Sequence, residues 1–116
     1  MLIFAHDEVR LRALEQLRIP RGGGRFSPQP PATARPVVTY NDGISFHLNG
    51  EQVRAFLAPP AHTDGDTFVY FPESDVLHVG DVFRTTSYPI IDIYNGGTLA
   101  GTIKALEMAM AGPGPR

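Results

Sequence analysis

Two short stretches concentrate the residue types that do chemistry. Ala61-His62-Thr63-Asp64-Gly65-Asp66-Thr67 gathers one imidazole and two carboxylates. His78-Val79-Gly80-Asp81-Val82-Phe83 places another carboxylate where a β-prone run gives way to Gly-Asp. Histidine and aspartate together are ligands for zinc and other divalent metals, and a metal-bound water is a hydrolytic nucleophile. By composition alone, the first stretch reads more simply as a turn in which Asp64 caps backbone amides. Elsewhere the chemistry is thin. Ser, His and Asp are present, but no Gly-x-Ser-x-Gly context supports a serine nucleophile. Gly22-Gly23-Gly24 lacks the Lys-Ser/Thr pair of a phosphate loop and follows a helical pattern rather than a strand. The chain has no cysteine, which excludes thiol catalysis, Cys-ligated zinc and disulfide scaffolds.

The elements that must position these residues follow from periodicity. Leu2-Ile3-Phe4-Ala5 reads as a short buried strand. Asp7 is then the expected cap of a helix with Glu8 in its first turn. Val9, Ala13, Leu14 and Leu17 form its apolar stripe, and Pro20 ends it. Residues 20–36, rich in Pro and Gly, read as a long loop. From Val37 the period changes to two. Val37–Tyr40 is β-prone and Asn41-Asp42-Gly43 a turn. Ile44, Phe46 and Leu48 alternate with polar residues, and Asn49-Gly50 is a strong hairpin signal. Gln52 to Leu57, Thr67–Phe71 and Val76–Val79 complete an expected antiparallel meander. Residues 80–97 read as loop with short extended pieces. Thr98 should cap a last helix whose stripe is Leu99, Ile103, Leu106 and Met110, with Ala109 alongside. Residues 111–116 read as a flexible tail. The class is α+β, with an antiparallel meander flanked by two helices.

At 116 residues and a formal net charge of −2, the chain fits one small domain, with no broad polyanion-binding surface. Nucleic acid and membrane are therefore not expected partners. No apolar run approaches the roughly 20 residues of a membrane helix, and the first residues lack the basic region of a signal peptide. A cytoplasmic location is the default expectation.

The order of motifs resembles one family. Pro60-Ala61-His62-Thr63-Asp64-Gly65-Asp66-Thr67, a strand, Phe71-Pro72-Glu73, another strand, then Gly80-Asp81-Val82-Phe83 is similar to the metallo-β-lactamase superfamily. The likeness extends through Tyr88-Pro89-Ile90-Ile91-Asp92, Asn95-Gly96-Gly97-Thr98 and the following helix. Thr39-Tyr40-Asn41-Asp42, Leu48-Asn49-Gly50-Glu51 and Ala5-His6-Asp7-Glu8-Val9-Arg10 also fit it. The resemblance implies an αβ/βα sandwich with one or two metals at its rim, zinc above all. By position, it implies that His62 completes the first metal site and that Asp81 bridges two metals. Asp66 would stand behind His62 without touching the metal. The family's His-x-His-x-Asp-His signature and its last histidine occur nowhere in this chain. The expectation is a truncated, partial sandwich, metal-poor as a lone chain and not catalytically competent by itself.

Two further expectations follow. A two-fold dimer would bring two His62 and two Asp81 together, a four-ligand set. A partial sandwich also exposes apolar surface, which favours a homodimer or larger homo-oligomer. Among the remaining candidates, His6 reads as structural or exposed, His47 as solvent-facing, and Asp92 as a turn cap. His78 is open between the two faces of its strand. Arg84-Thr85-Thr86-Ser87 reads as solvated loop, and Phe83 and Tyr88 as packing residues.

Overall fold

The computed structural model describes residues 1–15, 19 and 25–112. A short strand β1 (Phe4–His6) runs directly into helix α1 (Asp7–Leu14). After a 3₁₀ turn at Ala32–Ala34 comes β2 (Val38–Tyr40). Strands β3 (Gly43–Leu48), β4 (Glu51–Leu57), β5 (Thr67–Phe71) and β6 (Val76–His78) follow. Two 3₁₀ turns, Gly80–Val82 and Ile93–Asn95, precede helix α2 (Leu99–Ala111). The class is α+β, as the sequence predicts, with the topology of a partial sandwich.

Strands β3-β4-β5-β6 form one antiparallel meander in chain order. Asn49 and Gly50 both take positive φ at its first turn, the conformation a two-residue hairpin requires. The register pairs Phe56 with Phe68 and Tyr70 with Leu77. Their shared face receives α2, and Phe68 is fully buried there beside Ala58, Ala61, Val82 and Ala105. Strand β2 stands outside the meander and pairs in parallel with β1. Phe4 meets Phe46 edge to face, and the Tyr40 hydroxyl shares a hydrogen bond with Thr67 Oγ1 at 2.6 Å. These contacts tie the small sheet to the meander.

The helices depart from their expected detail. His6, not Asp7, caps α1: its Nδ1 accepts from the Glu8 N–H at 3.2 Å. A ring nitrogen that accepts leaves the proton on Nε2, which is buried and without a partner among the described residues. The helix ends at Leu14, its cap Glu15 donating to the Arg12 carbonyl; Leu17 and Pro20 lie outside the described residues. Of the expected stripe only Ala13 is buried, while Val9 and Leu14 are exposed.

Thr98 does cap α2, accepting from the Gly101 N–H at 2.8 Å. Leu106 and Ala109 pack against the core as expected, but the fully buried face of α2 is Gly101, Thr102 and Ala105, and Leu99, Ile103 and Met110 face outward. The reason is close approach. A Cβ on Gly101 would overlap the Pro60 carbonyl, so the helix lies nearly against that backbone with its smallest residues inward. The same helix runs through Ala111, and residues 113–116 lie outside the described residues.

Candidate metal-ligand pair

His62 sits in the connection between β4 and β5, and its shape is set by Asp66. One carboxylate oxygen of Asp66 accepts from the His62 N–H at 2.7 Å. The other accepts from the Thr63 N–H at 3.0 Å and the Thr63 hydroxyl at 2.8 Å. Asp66 therefore shapes the backbone under His62 rather than holding its ring. Capping of the turn amides falls to Asp66 rather than to Asp64.

The imidazole is oriented from the opposite side. His62 Nδ1 lies 2.7 Å from the Ile90 carbonyl oxygen. A carbonyl oxygen only accepts, so Nδ1 carries the proton and Nε2 presents its lone pair. This is the orienting arrangement that metal-bound histidines use. Nε2 faces Asp81 Oδ2 at 3.9 Å. Asp81 rides on the turn Gly80–Val82, held by Val82, whose side chain is in the core. His62 is a quarter exposed and Asp81 72% exposed, so the pair opens to solvent.

The segment carrying Ile90 is joined to the His62 turn by backbone bonds. Asp92 N donates to the His62 carbonyl, Asp64 N to the Asn95 carbonyl, and Thr98 N to the Ala61 carbonyl. A Cβ at Gly97 would collide with the carbonyl oxygens of His62 and Ala61, so glycine is what lets the loops touch. Asp92 caps its own turn, accepting from the Tyr94 and Asn95 N–H groups and from the Asn95 amide. Asp64 turns away from the pair and receives a two-pronged ion pair from Arg12 of α1. The bond to Asp64 raises the Arg12 pKa above its ordinary value, against the opposing effect of burial.

A zinc ion takes ligands at about 2.0–2.2 Å, so two ligands at a tetrahedral angle stand roughly 3.4 Å apart. The 3.9 Å between Nε2 and Oδ2 is close to that spacing. His62 and Asp81 thus fit as two ligands of one metal. Among the described residues, no group of three or more His, Cys, Asp or Glu side chains could hold a metal ion. The remaining histidines stand elsewhere. His6 is buried at the α1 cap, His47 faces solvent as expected, and His78 is exposed, its Nδ1 accepting from Gly80 N. Phe83 and Tyr88, expected to pack, are exposed at 55% and 94%. The Arg12–Asp64 pair and the Ile90 carbonyl had no sequence signal: both are contacts between distant segments, and a backbone acceptor has no residue type.

The fold, the His62 turn and the Gly80-Asp81 turn meet in one family. The metallo-β-lactamase superfamily model matches residues 3–115, and the chain belongs to that superfamily. A search of curated proteins finds no match. No helix among the described residues is long and apolar enough to cross a membrane.

Proposed function

We propose that this chain carries a two-ligand portion of a metallo-β-lactamase-type metal site and that a lone chain does not hydrolyse substrate. The observation that supports it is the oriented His62 ring, with Nδ1 on Ile90 and Nε2 turned to Asp81. A catalytic zinc needs about three protein ligands and one open position. Two ligands hold zinc weakly, and without firm zinc there is no water of lowered pKa to attack a carbonyl or phosphoryl group. The chain's own part is to hold the imidazole tautomer and place the carboxylate beside it.

A second reading has its own support. The pair is open to solvent, and Asp81 is largely exposed. In a homodimer closed by a two-fold axis through this surface, two His62 and two Asp81 would supply a four-ligand zinc site. Zinc uptake by metal-stripped, re-loaded protein separates the two. One zinc per two chains, lost in His62→Ala and in Asp81→Ala, supports the dimer-built site. Substoichiometric, easily dialysed zinc supports the lone-chain reading. Tight zinc that survives both substitutions overturns both.

A further inference from the structure

Between α1, β1 and the segment before β2 lies a cavity of about 450 Å³. That volume is within the roughly 300–1,000 Å³ of small-molecule sites. Neither His62 nor Asp81 lines it. It exists because of strand alternation and residue size. Phe4 and His6 of β1 turn to Phe46 and Tyr40, so Ile3 and Ala5 face the other way. Val9 and Ala13 of α1 and Pro36 close the remaining apolar wall. Two alanines in this wall leave room that larger side chains would fill.

The other end of the cavity is polar, but its charges are already matched. Arg12 is engaged by both oxygens of Asp64. Asp92 accepts from three donors of its own turn. A charged ligand would give up its hydration here without meeting an unpaired counter-charge, a cost that a neutral ligand avoids. Hydroxyl and carbonyl groups can still join such a network through the spare lone pairs of carboxylates or the donors of Arg12.

From this cavity we infer that the chain binds a neutral, mainly hydrocarbon small molecule carrying one hydroxyl or carbonyl group. The hydrocarbon body lies against Ala5, Val9 and Ala13, and the polar group meets the Arg12–Asp64 end. The inference depends on neither zinc nor hydrolysis.

The test uses the full chain and three probes that share one ring: cyclohexanol, cyclohexanecarboxylate and cyclohexylammonium. Amide chemical shifts are followed during titration. The expected result is saturable binding of cyclohexanol, with shifts centred on Ala5, Val9, Ala13 and Gly65. Both charged probes should bind at least about tenfold more weakly, a difference of about 1.4 kcal/mol. Ala13→Leu and Ala34→Phe should each weaken cyclohexanol at least about tenfold while leaving the rest of the spectrum in place. Ala34 lines the cavity yet is exposed, so its variant carries the test if Ala13→Leu does not fold. Absence of saturation, shifts centred on the exposed face of α2, or equal binding by the charged probes would each overturn the inference. So would unchanged cyclohexanol affinity in a folded Ala34→Phe chain.

Discussion

Replacing Asp66 by alanine tests whether one carboxylate shapes the turn beneath His62. The substitution removes three hydrogen bonds, to His62 N, Thr63 N and the Thr63 hydroxyl. At about 1 kcal/mol net each, the loss is about 3 kcal/mol. Unfolding entropy near 2.1 cal/mol/K per residue, applied to 116 residues, gives about 0.24 kcal/mol/K and a Tm lower by about 12 °C. Asp66→Asn keeps one accepting oxygen and should fall by about half as much. Differential scanning calorimetry supplies the Tm, and amide shifts of His62 and Thr63 report the lost bonds directly. An alanine variant that melts within about 2 °C of the parent, with the His62 and Thr63 amides unmoved, refutes the assignment.

Three further outcomes follow from the same contacts. Burial raises the Tyr40 pKa above the usual tyrosine value, opposed by its bond with Thr67. The folded state therefore holds that proton more tightly than the unfolded chain. This stability is complete below about pH 10 and is lost as pH rises through the folded pKa. Tyr40→Phe should flatten that alkaline decline in urea titrations; an unchanged slope counts against it. Gly97→Ala should cost about 1–3 kcal/mol by pushing the 90–98 segment off the His62 turn, and native stability in denaturant melts would contradict the close approach. Arg12→Gln and Asp64→Asn should show a coupling of about 0.5–3 kcal/mol in a double-mutant cycle, and simple additivity would mean that the pair does not bind α1 to the turn.

Much of the fold was legible because it rests on local signals. The meander followed from alternation in Ile44-Ser45-Phe46-His47-Leu48 and from Asn49-Gly50, where side-chain period and turn chemistry agree. Thr98 as a helix cap was equally local. The α2 stripe misled for a definite reason. Leu106 and Ala109 do pack against the core, but Leu99, Ile103 and Met110 do not: they are large apolar residues at helical spacing, and a periodicity argument weighs size. The close approach to the Pro60 carbonyl turns Gly101, Thr102 and Ala105 innermost, with Leu106 and Ala109 packed at the edge of the Phe68 cluster. The α1 stripe misled similarly, since an eight-residue helix over a small sheet buries little beyond Ala13.

For the candidate site, residue types and motif order identified His62, Asp81 and Asp66 as the residues to watch. The sequence by itself determined the α+β class, the hairpin register at Asn49-Gly50 and the acidic turn after Pro60. These depend on neighbours within a few residues, where backbone propensity and hydrogen-bonding capacity decide. Only the tertiary structure decided the rest. It put the Ile90 carbonyl on His62 Nδ1, sent Asp64 to Arg12, and left Ala5 and Ala13 facing a cavity. Each of these joins segments far apart in the chain. Their geometry is set by how closely glycine and alanine let backbones approach, which no local pattern encodes.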